Sequence, residues 1–98
     1  MSYWGVELRD LRTLVTVVRT RSFTAAATEL GYTQSAVSQQ IRSLEQEVGR
    51  PLLNRRPVRP TPAGARLIEH ANRILTRLDV ARSELAGIDN AGPASRVS

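Results

Sequence analysis

The stretch from Ser22 to Glu47 constrains the fold more than any other part of the chain, because it combines a turn signal with two helical patterns. Its first half, FTAAATEL, is short and rich in alanine, which lets a second helix approach closely. Gly31 follows at once, and a glycine just after a helix supplies the left-handed conformation that turns the chain. Ser22 and Thr33 are well placed as N-caps. These signals predict two packed helices, the first over 23–30.

The second of these helices carries two unlike faces. Its apolar residues recur at spacings of four, three and four, which places them on one stripe for burial: Val37, Ile41, Leu44 and Val48. The opposite face carries amides, hydroxyls and one guanidinium, and it consists of Gln34, Ser35, Ser38, Gln39 and Arg42. Gln can pair bidentately with adenine and Arg with guanine, whereas Ser can donate or accept. This face is therefore equipped to hydrogen-bond base edges in a major groove.

Two helices, a short glycine-containing turn and a polar second helix are typical of a helix-turn-helix. Antiparallel helix pairs with such a turn also occur in all-α proteins that bind nothing, and the pattern alone does not separate the two interpretations.

Length and composition narrow the range of function classes. A chain of 98 residues allows one modest domain with at most one appended element. It has no cysteine, which excludes disulfides and thiolate metal sites and fits a reducing compartment. The apolar runs are too short to span a bilayer, and the start, MSYWGVELRD, is not a signal peptide. We expect an intracellular protein with no membrane partner.

The basic residues are unevenly distributed. All fourteen are arginine, against nine acids, for a net charge of +5. No acidic residue lies between Arg50 and Arg66, and the arginines of this segment are Arg50, Arg55, Arg56, Arg59 and Arg66. A GC-rich genome would explain the absence of lysine but not the clustering. Such a cluster beside a groove-facing helix predicts a phosphate-binding surface.

A further helix and a wing are predicted on either side of this pair. The stripe of the helix, at about 7–19, consists of Leu8, Leu11, Leu14, Val15 and Val18. Residues 54–61, NRRPVRPT, are too interrupted by proline for a helix, and we predict a short two-stranded wing that tolerates proline because it is all edge. Its arginines would reach a neighbouring backbone or minor groove. An ordinary solvated hairpin would leave three arginines without an acidic partner.

The last helix is predicted over 62–88, with Thr61 as its N-cap and Pro62 at its first position. Its apolar seam follows a heptad pattern: Leu67, Ala71, Ile74, Leu78, Ala81, Leu85 and Ile88. A helix about 40 Å long exceeds what so small a domain can bury, so the same helix of a second chain is the natural partner. The alternative is a helix folded over its own domain, and Ile68 and Leu75 fit inward packing in either case.

With these residues in place, the chain resembles the N-terminal DNA-binding region of LysR-type transcriptional regulators. The resemblance rests on SFTAAA, TQSAVSQQIRSLE, the Leu-Leu pair before the wing and TPAG, and it covers roughly 7–88. It implies a mostly α fold, with a winged helix-turn-helix over 1–61 and a linker helix that dimerises over 62–88. It also implies a cytoplasmic, nucleoid-associated bacterial regulator that binds an interrupted inverted repeat near a promoter as a homodimer. Residues 89–98, DNAGPASRVS, are small, polar and interrupted by Gly-Pro, which predicts a linker or flexible tail.

The resemblance also assigns roles to individual positions. The residues expected to face bases are Gln34, Ser35, Ser38 and Gln39, with Arg42 on the same face and able to reach bases or backbone. Those expected to contact the backbone are Ser22, Thr24 and Thr33, with Arg55, Arg56 and Arg59 on the wing. Ser35 stands where the family usually has Pro, Gln39 where it often has Arg, and the wing is shorter and carries Pro60. The base preference of other family members therefore cannot be assigned to this chain.

Such regulators normally continue into a domain that senses a small-molecule inducer, and no such domain follows in this sequence. We expect a fragment in preference to a naturally short protein. No cofactor is implied.

Three other function classes are alternatives to DNA binding. An enzyme or a metal site is disfavoured, because His70 is the only histidine and no nucleophile or phosphate-loop motif is present. A pure dimerisation module would use the helix-turn-helix as a protein-binding surface, and it would tolerate changes on the polar face. RNA is disfavoured because a helix-turn-helix suits the wide major groove of B-DNA and stacking aromatics are few.

Overall fold

The computed structural model describes residues 4–91, which form four helices and one two-stranded antiparallel sheet. The elements are α1 (Leu8–Thr20), α2 (Phe23–Leu30), α3 (Gln34–Val48), β1 (Leu53–Arg55), β2 (Val58–Pro60) and α4 (Pro62–Ala91). The fold is mostly α with a small wing and a long last helix, as the sequence predicts.

The first helix is the hub of the core, since α2, α3 and α4 all pack against it. Its buried face includes Leu11, Leu14 and Val17 together with the polar residues Asp10, Thr13 and Thr16. The predicted stripe was partly wrong here: Leu8 is 46% exposed, whereas Val17, which the stripe omitted, is fully buried. A single stripe is too narrow for a helix that is contacted by three others.

The turn between α2 and α3 forms as predicted. Ser22 Oγ accepts a hydrogen bond from the backbone N–H of Ala25 at 2.9 Å, and Thr33 Oγ1 accepts one from Ala36 at 3.0 Å. Gly31 has φ +76°, a left-handed conformation that a side chain would disfavour. The caps and the glycine together set the direction in which α3 leaves α2.

The wing begins one residue earlier than predicted, at Leu53. Leu52 and Leu53, which follow α3, are buried. In the sheet Leu53 pairs with Pro60, Asn54 with Arg59, and Arg55 with Val58. Pro60 lies in β2, whose edge position accommodates it because no further strand needs its missing N–H, and Pro57 lies in the turn between the strands.

The last helix combines two environments along its length. Its first half belongs to the core, where Ala71 and Leu75 are buried and Leu67 and Ile68 are partly buried. From position 76 to position 88 every residue is exposed. The boundary predicted at 61/62 therefore separates secondary-structure elements and not packed units.

The helix also continues to Ala91, so positions 89–91 are helical and not part of a flexible tail. The rest of the predicted tail, 92–98, lies outside the described residues. None of the helices within the described range is long and apolar enough to cross a membrane.

The start of α4 lies directly against the segment that leads into the wing. A Cβ built on Gly64 would lie 2.0 Å from the carbonyl oxygen of Leu52, which also accepts a hydrogen bond from the N–H of Thr61 at 3.0 Å. The hydroxyl of Thr61 accepts from the N–H of Gly64 at 3.0 Å and caps the helix. This close approach of two backbones requires a residue without a side chain.

We predict that Gly64→Ala destabilises the protein by about 1 to 3 kcal/mol, because the added methyl group must displace the backbone of Leu52. Gly87→Ala is the matched control, since nothing lies within 4 Å of a Cβ at that position in the same helix. The control should stabilise by up to about 1 kcal/mol through helix propensity. Urea denaturation of both variants measures the difference, and equal effects would contradict the packing argument.

Asp10 is a buried carboxylate near the start of α1. It is 5% exposed, and its Oδ1 has no hydrogen-bond partner among the described residues, although the Arg9 guanidinium lies 3.8 Å away. Burial raises the pKa of Asp10 above its ordinary value; Arg9 opposes this rise and Glu7 adds to it. The native state therefore binds this proton more tightly than the unfolded chain does.

Because the pKa is raised in the native state, the stability that this group contributes is present below its ordinary pKa of 3.8 and is lost as the pH rises through the higher native value. We predict that Asp10→Asn gains stability relative to the native sequence on going from pH 3 to pH 7. Urea denaturation at equal protein concentration tests this. A stability difference that stays constant over this range would contradict the assignment.

Candidate nucleic-acid interface

The polar face of α3 forms one continuous surface. The five side chains predicted to face bases line a single shallow depression: Gln34, Ser35, Ser38, Gln39 and Arg42. Ser38 is partly buried and the other four are exposed. Because Val37, Ile41 and Leu44 are buried on the opposite side, the helix presents this face outward. The structure thus brings the predicted base-facing residues together, and their contact with bases stays a prediction.

A contact that the sequence did not indicate helps to fix the rotation of α3. The hydroxyl of Thr13 in α1 donates a hydrogen bond to Oε1 of Gln40, which is partly buried between the two helices. Gln40 sits next to Gln39 but has a different role, since it holds the helix while its neighbour faces outward. Nothing in the local pattern of three polar residues distinguishes these two glutamines.

Three of the residues predicted to contact the DNA backbone, Ser22, Thr24 and Thr33, lie at the N-termini of α2 and α3. The hydroxyl oxygens of Ser22 and Thr33 accept the capping hydrogen bonds described above, which leaves the hydroxyl hydrogens available to an external acceptor. Thr24 is exposed in the first turn of α2. The two helix N-termini also present positive ends of helix dipoles, which favour an anionic group.

The three wing arginines differ from one another. All three are exposed, but neither Arg56 nor Arg59 forms an ion pair within residues 4–91. Arg55 lies 3.6 Å from the carboxylate of Glu45, and its guanidinium sits 4.9 Å from the centre of the Phe23 ring. The expectation that all three arginines lack an acidic partner was therefore wrong for Arg55. The sequence did not indicate this ion pair, because Glu45 belongs to α3 and lies ten residues before Arg55.

Glu45 is a second residue whose role the sequence did not indicate. Its side chain is 18% exposed, and one carboxylate oxygen accepts hydrogen bonds from the N–H groups of Leu52 at 2.8 Å and Leu53 at 3.3 Å. Glu45 therefore joins α3 directly to the start of the wing. No spacing rule identifies a carboxylate whose partners are backbone groups beyond an intervening turn.

The predicted dimer seam is only partly available to another chain. The exposed large residues along it are Ile74, Leu78, Leu85 and Ile88, with Ala81 also exposed. Leu67 is partly buried against the core, and Ala71 has no exposed surface. Ala71 was therefore wrongly included, because in the first half of α4 the seam faces α1 and the domain core.

A cluster of three or more His, Cys, Asp or Glu side chains with metal-binding geometry is absent from the part of the chain that the structure describes. His70 is exposed on α4 and lines an apolar groove with Trp4 and Leu67.

The arrangement matches a known family. The sequence model of one protein family, described as "Bacterial regulatory helix-turn-helix protein, lysR family", matches residues 8–65, which is more than half of the chain. The chain belongs to the LysR family. The matched segment contains α1, α2, α3, the wing and the start of α4, so it includes the polar face of α3 and the wing but not the predicted dimer seam.

Curated members of the family are similar over most of this chain. The transcriptional regulator BudR of Klebsiella aerogenes is 48% identical over 85 residues, and BudR of Raoultella terrigena is 46% identical over 85 residues. BenM of Acinetobacter baylyi is 45% identical over 76 residues. The matches cover 85%, 85% and 76% of this chain but only 59%, 29% and 25% of those proteins. The chain thus corresponds to a part of its relatives' length.

Solved structures of the family share the fold. A complex of BenM_DBD with catB site 1 DNA aligns with a TM-score of 0.81 at 42% identity, covering 85% of this chain and 94% of that one. DarR of Vibrio fischeri in complex with DNA aligns with a TM-score of 0.81 at 27% identity, covering 91% of this chain and 31% of that one. The long last helix and the wing are therefore features of the family fold.

Proposed function

We propose that this chain is a sequence-specific double-stranded DNA-binding domain of a LysR-type transcriptional regulator. The observation that carries the proposal is the exposed polar face of α3, in which five hydrogen-bonding side chains line one depression. A major groove about 12 Å wide admits one α-helix, and amide, hydroxyl and guanidinium groups are the donors and acceptors that distinguish base pairs there. The DNA complexes of BenM_DBD and DarR support the same mode of binding.

Residues 34–42 would supply the base contacts, since a helix-turn-helix uses the N-terminal part of its second helix. The N-termini of α2 and α3 and the exposed wing arginines would bind phosphates on either side. Phosphate contacts position the protein but carry no sequence information, so the two groups of residues should respond differently to mutation. This division of roles is the basis of the main test.

The outer half of α4 would form a two-fold dimer. Four large apolar side chains are exposed along one side of this helix and are not covered by their own domain: Ile74, Leu78, Leu85 and Ile88. From Ile74 to Ile88 the seam is about 21 Å long, enough for several layers of side chains between two helices. A two-fold dimer would place two copies of α3 on an inverted repeat, with an interval set by the linker helices.

The full regulator would respond to a small-molecule inducer through a further domain of the kind found in LysR-type proteins, and it would act on the nucleoid. The inducer and the sign of regulation depend on residues beyond this surface. The competing proposal, a dimerisation module with no affinity for DNA, predicts that the polar face of α3 can be changed without consequence for nucleic acid.

We predict that Gln39→Ala weakens binding to a duplex selected from a random pool by about 1 to 3 kcal/mol and leaves a shuffled duplex unaffected. Arg59→Ala should weaken both duplexes alike and reduce the slope of log K against log salt by about 1 for each subunit. Fluorescence anisotropy at several salt concentrations measures both quantities.

Arg82→Ala is the matched control for this experiment. It removes the same charge as Arg59→Ala at a site roughly 30 Å along α4 from the wing, and it should alter neither affinity nor slope appreciably. Equal losses on both duplexes for Gln39→Ala would contradict the assigned roles. Absence of binding by the native chain at low salt would favour the dimerisation module.

We predict that Leu78→Asp converts the dimer to monomer at concentrations where the native chain is dimeric, because it buries a charge in the seam. Val80→Asp is the control, since Val80 is 37% exposed and Leu78 43%, yet Val80 lies off the heptad positions. Sedimentation velocity distinguishes the species. A monomeric native chain, or equal behaviour of the two variants, would exclude the proposed seam.

A further inference from the structure

We infer that Glu45, Arg55 and Phe23 form a clamp that holds the wing at a fixed position relative to α3, and that Arg55 positions the wing without contacting phosphate. The inference rests on the proposed DNA-binding function and refines it, since it removes one of the three wing arginines from the phosphate-binding set. Its basis is a group of contacts that joins three separate elements through one guanidinium.

The first part of the clamp is the carboxylate of Glu45, whose two oxygens have separate partners. Oε2 accepts from the backbone N–H groups of Leu52 at 2.8 Å and Leu53 at 3.3 Å. Oε1 lies 3.6 Å from the guanidinium of Arg55. With only 18% of its side chain exposed, Glu45 is partly shielded from water, and this strengthens both interactions. A single α3 residue therefore holds both the start of β1 and its last residue.

The second part is the ring of Phe23 at the start of α2. The guanidinium of Arg55 lies over this ring at 4.9 Å from its centre, within the range of a cation–π contact. Phe23 packs against the hydrophobic core, so the ring is itself anchored. Arg55 thus connects the wing to α2 on one side and to α3 on the other.

The pairing of the strands explains why Arg55 differs from Arg59. Successive residues of a strand point to opposite faces, and cross-strand partners share a face. Leu53, Arg55 and its partner Val58 therefore lie on the face toward the core, and Leu53 and Val58 do pack there. Arg59 and its partner Asn54 lie on the outward face. Arg55, Arg59 and Asn54 are all exposed, with 39% of the Arg55 side chain accessible, so Arg55 differs from Arg59 in the partners of its guanidinium and not in exposure.

A guanidinium that is already paired with a carboxylate has little uncompensated charge to offer to DNA. Binding of a phosphate by Arg55 would release few counterions unless its contact with Glu45 were first broken. The clamp therefore predicts that Arg55 affects affinity through the placement of Arg56 and Arg59, and so without a change in the salt slope.

The decisive experiment compares Arg55→Met with Arg59→Met, two variants of equal charge and size on opposite faces of the wing. Anisotropy titrations with the selected and the shuffled duplex give affinity and salt slope. Arg55→Met should weaken the selected duplex roughly tenfold with the native slope retained, since it removes charge-assisted contacts within the protein. Arg59→Met should reduce the slope by about 1 for each subunit.

Glu45→Gln separates the two roles by the sign of its effect. It removes one negative charge and releases Arg55, so a phosphate-binding Arg55 would make the variant bind DNA more tightly. The clamp predicts weaker binding to the selected duplex despite the more positive net charge. It also predicts a result for the double variant Glu45→Gln/Arg55→Met. Its loss of affinity should be no greater than that of the weaker-binding single variant, because the two residues act as one unit.

Arg55→Lys is the most conservative change at this position. Circular dichroism verifies that the four single variants fold: Arg55→Met, Arg59→Met, Glu45→Gln and Arg55→Lys. Lysine keeps the charge but lacks the planar group that stacks on Phe23, so this variant should also weaken binding at the native slope. A reduced slope for Arg55→Met, or tighter binding by Glu45→Gln, would overturn the inference.

Amide hydrogen exchange distinguishes failure of this inference from failure of the proposed function. In Glu45→Gln and Arg55→Met the amides of β1 should exchange faster than in the native chain, while those of α1 keep their protection. If the native chain bound no duplex at low salt, the proposed function would fail while faster exchange in β1 would still support the clamp. Unchanged exchange in β1 would overturn the clamp in either case.

Discussion

The burial of α3 against α1 is the interaction on which the remaining features depend. Val37, Ile41 and Leu44 have almost no exposed surface, so α3 can pack in only one rotational orientation. That orientation directs the polar side chains of the same helix outward, and the contact between Thr13 and Gln40 reinforces it. The geometry of the candidate site is therefore a consequence of core packing. A side chain lost from this stripe would disturb the site as much as the core.

Local signals were sufficient to predict most of the fold. The N-caps Ser22 and Thr33 and the glycine at 31 act over three or four residues, and each forms the predicted structure. The apolar stripe of α3 is equally local, because helical periodicity determines which residues share a face. These are also the features that position the polar face, so the grouping of its five residues could be predicted before any tertiary contact was known.

Features that depend on contacts distant in sequence could not be predicted in this way. The pairing of Arg55 with Glu45 joins residues of different elements, and a count of charges along the chain treats such an arginine as uncompensated. Ala71 fits the heptad pattern as well as Ile74 does, yet one is fully buried in its own domain and the other is 42% exposed. Periodicity identifies a face of a helix, but only the packing of the other elements determines what covers each part of it.

The unbroken course of α4 from the core into its exposed half has a consequence for changes in chain length. Because no loop separates Leu75 from the residues after it, an insertion cannot be absorbed locally. One inserted residue would rotate the outer half by about 100° and carry the exposed apolar side chains out of line with the domain. Seven inserted residues would nearly restore their direction and lengthen the helix by about 10 Å. Natural length variation in this segment should therefore occur in steps, such as seven or eleven residues, that nearly restore this direction.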